Sequence, residues 1–441
     1  MKKLTLGVCA ILMLTTQLKA QQQPSVSVTT SGNGKSVTTT SSSSYAYTNI
    51  DVKNSVNVRY GDKTQEVQDE TPMKAKSFTK SFSIDKNDKI NLSNQFGTIT
   101  IKTWDKNEIK VDADIKAYAK TADEAQKLID DVSISATKTG DLVSYKTETG
   151  DRNSNWGSSV KNGKTIWRRE VKVYYTVYMP AYNALNASQQ YGNISMGDFS
   201  GPTSIKVQYG NFNAGNLSNI NNYVNVQYGD ANIQELNKGV VKQQYGKVLT
   251  IGTIGTLDLN VQYAGANIGS VKGNAIIKKQ YGGSLVIGSV DNLDLDAQYT
   301  NVNITTVNGN ALIKQQYNKL TLGTVGKLKL DAQYVGTIIG SLKGDGAFDT
   351  EYNSLTIGNV HSACKILTVK AQYAELNIGF TDAYNANFEV VKTYGGFKYG
   401  DNVTSRMTSE DSQTKRYSGK IGNGGTATVK ITSEYNSVTF K

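Results

Sequence analysis

The stretch Ala275-Ile276-Ile277-Lys278-Lys279-Gln280-Tyr281-Gly282 ends in a Gln-Tyr-Gly triplet, and variants of this triplet recur along most of the chain. Ten marker tyrosines follow one another at intervals of 17 to 19 residues: Tyr191, Tyr209, Tyr228, Tyr245, Tyr263, Tyr281, Tyr299, Tyr317, Tyr334 and Tyr352. Tyr373, Tyr394 and Tyr435 continue the series at wider intervals. So short a period is typical of stacked repeats that contact mainly their neighbours. The sequence predicts an all-β protein, a parallel β-solenoid (β-helix) of about 18-residue rungs.

The side chains of each repeat alternate in a way that separates core from surface. Four residues before the marker tyrosine the side chain is apolar, as at Leu259 and Ile277, so this position is predicted to face the core. Six residues before it, large and small side chains alternate from one repeat to the next, as at Leu257 and Ala275. The rungs therefore form 36-residue pairs of two unlike halves.

Two geometries fit the 36-residue unit. If each 18-residue half is one full coil, large and small side chains interleave in a single stack and fill space well. The residues three before the tyrosine would then alternate in sign along one ladder: Lys278, Asp296, Lys314 and Asp331. If 36 residues make one coil, the halves lie on opposite walls. The charge alternation favours the first geometry.

Residues 75–180 predict an α+β capping unit, a β-sheet that carries one α-helix. Thr121 is a predicted N-cap, and Glu124 three residues later completes a capping box. Apolar residues follow on one face at helical spacing: Ala125, Leu128, Ile129 and Val132. The helix-bearing unit is expected to close one end of the stack.

The remaining boundaries follow from composition and period. Residues 181–400 are predicted to hold the solenoid repeats. Residues 401–441 are predicted to form a loop and C-terminal capping strands, because an open last rung would expose a strand edge. Residues 21–74 are Ser/Thr-rich and are predicted to form a flexible leader.

The first 20 residues are predicted to be a signal peptide. Lys2 and Lys3 precede a short apolar run, and Ala20 precedes a polar segment at the expected cleavage site. The apolar run is too short to span a bilayer, and no other stretch predicts a transmembrane segment. We therefore expect an exported protein in the periplasm, on the outer surface or outside the cell.

The charge of the mature chain argues against nucleic acid as a partner. Removing residues 1–20 takes away three lysines and no acids, so the net charge falls from +11 to +8. The basic residues are scattered among acidic ones rather than clustered. Cys364 is the one cysteine left after cleavage, so no intramolecular disulfide is expected.

Three motifs carry a family resemblance. They are Asn94-Gln95-Phe96-Gly97-Thr98-Ile99-Thr100-Ile101 with Thr103-Trp104-Asp105 after it, Tyr175-Thr176-Val177-Tyr178-Met179-Pro180, and Tyr191-Gly192-Asn193-Ile194. Over residues 75–400 the chain resembles the bacterial putative-adhesin family of unknown function. This resemblance implies an exported parallel β-solenoid domain of the cell envelope, and it offers no catalytic residues to carry over.

The chain offers few groups for catalysis. His361 is the one histidine, and Cys364 follows three residues later; a turn histidine and a buried cysteine are the favoured interpretation over a nucleophile pair. A zinc site needs three or four ligands, and no second His/Cys cluster exists. Asp294/Asp296 and Asp130/Asp131 are candidate carboxylate pairs, but no cleft is expected beside Asp294 and Asp296. We predict no enzyme, no cofactor and no metal.

The glutamines of the triplets are the remaining candidates. Strand alternation predicts that the marker tyrosine points inward or toward the corner and that the preceding glutamine points outward, where it could contact a surface ligand: Gln262, Gln280, Gln298, Gln316 and Gln333. The favoured function is a non-enzymatic exported envelope protein, an adhesin or a structural or interaction solenoid, with a glycan or cell-surface protein as partner. Alternatives are a polysaccharide-binding or polysaccharide-degrading β-helix protein and a periplasmic component of an envelope signalling system. Oligomeric state is not predicted.

Overall fold

A computed structural model describes residues 71–150, 157–161 and 164–441. The predicted signal peptide and most of the predicted leader lie outside the described residues. The first described part contains strands and one helix: β1 (Met73–Ser83), β2 (Lys89–Thr103), β3 (Glu108–Tyr118), α1 (Ala122–Asp130), β4 (Val132–Thr139), β5 (Leu142–Thr149), β6 (Gly157–Lys161) and β7 (Lys164–Met179). The described chain is almost entirely β-structure.

The repeats form the next eleven strands. They are β8 (Ala184–Met196), β9 (Thr203–Gln208), β10 (Phe212–Leu217), β11 (Asn222–Gln227), β12 (Ala231–Gln244), β13 (Val248–Gln262), β14 (Gly265–Gln280), β15 (Leu285–Gln298), β16 (Val302–Leu342), β17 (Gly346–Val360) and β18 (Ile366–Phe380). The last six are β19 (Ala386–Thr393), β20 (Phe397–Tyr399), β21 (Val403–Asp411), β22 (Thr414–Ile421), β23 (Ala427–Glu434) and β24 (Val438–Phe440).

Successive repeats pair in parallel, with a register shift inside some of the strands. In β13, β14 and β15 the marker glutamines are direct partners, Gln262 opposite Gln280 and Gln280 opposite Gln298. In the second half of these strands the partner of a residue is the residue 18 positions later, whereas in the first half it is 17 or 19 positions later. Leu257 lies opposite Ala275, so large and small side chains meet in one ladder.

The core runs through the whole stack. The column four residues before the marker tyrosines is almost completely buried, as the sequence predicts: Val241, Leu259, Ile277, Leu295, Ile313, Leu330, Phe348 and Val369. The charged column beside it alternates in sign as far as Asp331, which then lies opposite Asp349. The predicted alternation agrees with the pairing of Lys278 with Asp296 and of Asp296 with Lys314, and it does not continue beyond Asp331, where two carboxylates are neighbours.

The helix-bearing unit is built as expected around α1. The Thr121 hydroxyl accepts a hydrogen bond from the Glu124 backbone N–H at 3.2 Å, which confirms the N-cap. Ala125, Leu128 and Ile129 are buried, and the helix contacts β1, β3 and β4. β1 and β7 pair antiparallel with β3, while β4 pairs antiparallel with β5.

The same unit also contributes a repeat. β2 pairs in parallel with β8 so that Gln95 lies opposite Gln190 and Gly97 opposite Gly192. Phe96 therefore takes the place of a marker tyrosine, and its ring stacks on Tyr191 at 5.0 Å between centroids. The repeat pattern begins inside the predicted capping unit, about one hundred residues before Tyr191.

The C-terminal region departs from the sequence order. Residues predicted to form a loop fold instead into the antiparallel hairpin β21–β22, and β22 pairs with β19. The predicted terminal strand β23 lies inside the stack, parallel to β18 on one side and to β19 on the other. The prediction of a loop followed by terminal capping strands is therefore wrong. The hairpin is the outer element, and the last strands of the chain are internal.

Candidate binding surfaces

Each marker tyrosine lies at a corner where the backbone turns left-handed. The φ angles of these tyrosines are 52° to 65°, and that of Phe96 is 61°. A positive φ is uncommon for a residue with a side chain, and here it interrupts the strand alternation. The tyrosine side chains point outward and remain 37% to 49% exposed. Of the two predicted orientations, the corner position is observed and the inward one is wrong, because strand alternation does not extend through a residue that leaves the strand.

The corner aromatics stack into a single tyrosine column. It runs in this order: Phe96, Tyr191, Tyr209, Tyr228, Tyr245, Tyr263, Tyr281, Tyr299, Tyr317, Tyr334, Tyr352, Tyr373, Tyr435 and Tyr394. Neighbouring ring centroids are 4.4 to 5.2 Å apart and the rings are within 3° to 12° of parallel. Each such pair contributes roughly 0.5–1.5 kcal/mol beyond area burial.

This stacking determines what the tyrosine column can bind. Each internal ring has both faces covered by its neighbours, so the edges and hydroxyl groups form the exposed surface. The C–H groups of a sugar are attracted to the electron-rich face of an aromatic ring. That face is occupied throughout the interior of the column. The tyrosine column is therefore a stabilising feature rather than a platform for sugar rings.

The triplet glutamines form a second column beside the tyrosines. The side-chain amide of Gln262 donates to Gln280 at 3.4 Å, and Gln280 donates to Gln298 at 3.1 Å. Gln316 donates to Gln333 at 3.5 Å, and Gln333 donates to the Glu351 carboxylate at 3.0 Å. These side chains are half-buried and largely satisfied by one another. Ligand contact by the five predicted glutamines stays a prediction.

Polar side chains line the inside of the same corner. Lys279, two residues before Tyr281, is fully buried and donates through Nζ to the Tyr281 carbonyl oxygen at 2.6 Å. The equivalent Gln315 donates to the carbonyl oxygens of Tyr317 at 3.3 Å and Lys319 at 3.2 Å. A left-handed corner takes these carbonyl groups out of the strand ladder, and a buried carbonyl needs a partner.

Two of these inner side chains are lysines with altered titration. Burial lowers the pKa of Lys279 to about 8. Burial also lowers the pKa of Lys392 to about 8, against an opposing effect of Glu434. Lys392 Nζ donates to the Ser433 hydroxyl at 3.2 Å. Their position behind the tyrosine column makes them part of the fold rather than of an accessible site.

A lateral groove crosses the strands on another face of the stack. It consists of two recesses of about 800 and 580 Å³ that share Asn274 and Ile276. Its floor is formed five to seven residues before the marker tyrosines, and its lining includes Tyr223, Val240, Asp258, Asn274, Ile276, Asn292, Asp294, Asn310, Leu312, Lys329 and Ile366. Several apolar members are strongly exposed, Ile276 at 60% and Leu312 at 46%.

Between β12 and β16 the lining of the lateral groove repeats every second strand. Direct pairing places Val240, Asp258, Ile276, Asp294 and Leu312 in one ladder in that order. Apolar and carboxylate side chains therefore alternate along it. Amides form a parallel row, in which the Asn292 side chain donates to the Asn274 side-chain oxygen at 3.1 Å. The 36-residue unit seen in the sequence is thus expressed at the surface as well as in the core.

The predicted carboxylate pair lies partly in this groove. Asp294 and Asp296 lie on the outer side of β15, and Asp294 lines the lateral groove. The expectation that no cleft lies beside them is wrong for Asp294. Sequence alternation showed that this side chain is exposed, but a concave surface depends on the neighbouring strands. Asp130 and Asp131 lie instead at the end of α1.

His361 and Cys364 lie in the turn before β18. The Cys364 backbone N–H donates to the His361 carbonyl at 2.9 Å, and its thiol donates to the Ile366 carbonyl at 3.6 Å. Burial raises the pKa of the Cys364 thiol, which disfavours the reactive thiolate. The arrangement agrees with a turn histidine beside a buried cysteine.

The described part of the chain shows neither a metal cluster nor a membrane-spanning helix. No three His, Cys, Asp or Glu side chains within residues 71–150, 157–161 and 164–441 are placed to hold a metal ion. Over the same ranges, no helix combines the length and apolar character needed to cross a membrane.

Comparison with known proteins gives similar structures only. No protein-family model and no curated protein matches the sequence. A putative cell adhesion protein from Clostridium sporogenes is 9% identical, with 83% of this chain and 99% of that chain covered and a TM-score of 0.17. A putative adhesin from Parabacteroides distasonis is 12% identical over 83% and 97%, with a TM-score of 0.16.

A third similar structure belongs to the same class. It is a putative adhesin from Bacteroides fragilis, 11% identical over 83% of this chain and 97% of that chain, with a TM-score of 0.13. These structures bear the name of the family that the sequence motifs resemble. At such TM-scores the likeness carries no argument about what this protein does.

Proposed function

We propose that this protein is a non-enzymatic, exported envelope protein of the adhesin type, in which a parallel β-solenoid presents the lateral groove to an extended glycan chain of a cell surface. The single observation that carries the proposal is the regular lining of the groove. Apolar and carboxylate side chains alternate at a period of two strand spacings, roughly 9.6 Å. A linear polymer with a two-unit repeat of similar length would meet the same contacts at each step.

The side chains that line the lateral groove are suited to binding a glycan. Exposed Ile276 and Leu312 offer apolar contact for the faces of sugar rings, while the amide row and Asp258 and Asp294 offer partners for hydroxyl groups. Ligand sites combine such apolar surface with a few placed polar groups. The tyrosine column offers no free interior ring faces, so the groove is the better candidate of the two surfaces.

A matched pair of variants on one strand tests the proposal. Leu312 and Ile338 both belong to β16 and are 46% and 41% exposed, but Ile338 is not part of the groove lining. Glycan arrays and cell-adhesion assays on residues 21–441 should show retention that Leu312→Asp abolishes and Ile338→Asp leaves intact. Equal retention by the two variants, or no retention of any glycan by the unaltered protein, would contradict the proposal. Retention on protein-coated surfaces alone would assign the groove to a cell-surface protein instead.

Polysaccharide degradation is the second candidate, and the position of Asp294 favours it. Asp294 and Asp296 are two residues apart on one face of a strand, about 7 Å. An inverting glycosidase holds its carboxyl groups roughly 6.5–9.5 Å apart. Release of reducing ends from a bound glycan would support this activity if it vanished in Asp294→Asn/Asp296→Asn. Binding without turnover would exclude it.

A further inference from the structure

The tyrosine column brings together phenol side chains far more closely than surface tyrosines normally lie. Thirteen tyrosines follow one another at 4.4 to 5.2 Å between ring centroids. Interaction with the Tyr317 side chain raises the pKa of Tyr299, and interaction with the Tyr373 side chain raises the pKa of Tyr435, because the phenol groups lie side by side. The ring edges, which carry the carbons next to the hydroxyl, remain open to solvent.

We propose that the tyrosine column is a site of oxidative cross-linking, at which a one-electron oxidant joins tyrosines of adjacent strands through a carbon–carbon bond. Close packing also allows an oxidised ring to take an electron from its neighbour, so a radical formed at any position is shared along the column. The inference is independent of whether the lateral groove binds a glycan.

The chemistry balances with hydrogen peroxide acting through a peroxidase. Each of two tyrosines loses one electron and one proton to give a phenoxyl radical. The two radicals couple between the ring carbons adjacent to the oxygens, and the two hydrogens on those carbons return to the oxygens as the rings regain aromaticity. The sum is two tyrosines plus one hydrogen peroxide giving one dityrosine and two waters. No other reductant or oxidant is required.

Cross-links of this kind would fasten the stack along its corner. In the tandem repeats each joins strands that are about 18 residues apart in sequence but adjacent in space, and the links at Tyr435 close longer loops; a covalent link across such a loop restricts the unfolded chain. The corner is also where the backbone departs from the strand ladder at a positive φ. The modification would therefore add covalent links at the corner of each repeat, beside the backbone hydrogen bonds that the tyrosine N–H groups donate to the next repeat.

The order of the tyrosines in the C-terminal region provides a specific test of the proposed cross-linking. Tyr435 lies between Tyr373 and Tyr394 in the column, although Tyr394 is nearer to Tyr373 in sequence. Dilute protein would be treated with a plant-type peroxidase and hydrogen peroxide, followed by dityrosine fluorescence and mapping of linked peptides by mass spectrometry. We expect Tyr373–Tyr435 and Tyr435–Tyr394 links and no Tyr373–Tyr394 link.

Two internal controls separate the column from simple exposure. Tyr182 is 44% exposed, the same as Tyr191, but does not belong to the column, and it should remain unlinked. Tyr263→Phe keeps a ring in the stack but removes the phenol, so it should lose its two links while the others persist. Absence of dityrosine in the folded protein, or links that include Tyr182 as often as Tyr191, would overturn the proposal.

Discussion

The tandem strands β8 to β18 and the C-terminal strands β19 to β24 belong to one stack of paired strands, but the order in which the strands pair differs between the two regions. In the tandem region each repeat pairs with the next repeat in the chain, so sequence order and spatial order agree. At the C-terminal end β23, which comes after β19 in the chain, lies between β18 and β19. The tyrosine column runs through both regions without a break, because Tyr435 fills the place between Tyr373 and Tyr394.

The comparison separates the features that one repeat determines by itself from those that depend on which repeat lies beside it. The left-handed tyrosine and the buried polar residue two positions earlier occur in β23 as in the tandem strands, with Tyr435 at φ 65° and Ser433 buried. These features are local and do not depend on the neighbour's place in the chain. Insertion of β23 depends instead on a pairing between Gln372 and Glu434, which are 62 residues apart.

The largest expected effect comes from removing the inserted strands. Deletion of residues 426–441 leaves the facing edges of β18 and β19 without their partner and takes buried Val429 and Ile431 out of the core. We expect the chain from Ala386 onward to lose protection while β8 to β17 keep theirs. Hydrogen exchange followed by peptide mass spectrometry measures both regions at once. Unchanged protection of β19 in the truncated protein would contradict the internal position of β23.

A glycine variant tests how closely the tandem strands approach at the corner. A Cβ at Gly210 would clash with the carbonyl oxygen of Gly192 in the preceding repeat. Overpacking of this kind costs roughly 1–3 kcal/mol, and backbone cannot yield as a side chain can. We expect Gly210→Ala to lower the free energy of unfolding by about 3 kcal/mol.

Gly197→Ala is the matched control for that variant. A Cβ at Gly197 meets nothing within 4 Å. Urea unfolding monitored by circular dichroism should give this control a midpoint close to that of the unaltered protein. Equal midpoints for the two glycine variants would mean that the corners are not packed as tightly as the structure shows.

Tyrosine variants sharpen the comparison between the two regions. Tyr263 in the tandem region and Tyr435 in the inserted strand each stack on two neighbours, so Tyr263→Leu and Tyr435→Leu should destabilise by similar amounts, roughly 1–3 kcal/mol. Tyr394 ends the column and should show about half that loss. A much smaller effect at Tyr435 than at Tyr263 would show that the inserted strand does not complete the column.

The smallest predicted effect is a pH dependence from the buried lysine. The pKa of Lys279 is lowered to about 8 in the folded protein from 10.5. Between these values the unfolded chain binds more protons, so the free energy of unfolding rises with pH, by about 1 kcal/mol from pH 7 to 9. The Lys279→Met variant should lack this contribution to the rise in the free energy of unfolding. The Lys278→Met variant, which changes the exposed neighbouring residue, should keep it. Equal pH profiles for the two variants would contradict the burial of Lys279.

The sequence predicts those features that repeat with the strand period. The apolar column of Leu259 and Ile277, the interleaving of Leu257 with Ala275 and the N-cap at Thr121 all follow from local spacing and appear in the structure. Each depends on residues within one repeat or one helical turn. The repeat period and the alternation of side chains are therefore sufficient to predict features that depend on residues so close in sequence.

The failures arise where the backbone leaves the strand or where distant segments meet. The outward tyrosine follows from a positive φ, and the glycine that comes directly after markers such as Tyr191, Tyr209 and Tyr281 is a turn signal that alternation alone ignores. The similarity of Asn94-Gln95-Phe96-Gly97 to the marker triplets could have placed Phe96 in the column. The lateral groove and the insertion of β23 come from strand pairing across the fold, which spacing does not encode.

Pairs of engineered cysteines provide the most direct test of the strand order on which this account depends. In a Cys364→Ser background, Gln372→Cys/Glu434→Cys joins direct partners in adjacent strands, whereas Gln372→Cys/Thr393→Cys joins positions that β23 separates. A disulfide needs Cα atoms within roughly 7 Å, and two strand spacings exceed that distance. Mild oxidation should therefore form the first disulfide and not the second. Formation of the second and failure of the first would contradict the insertion of β23.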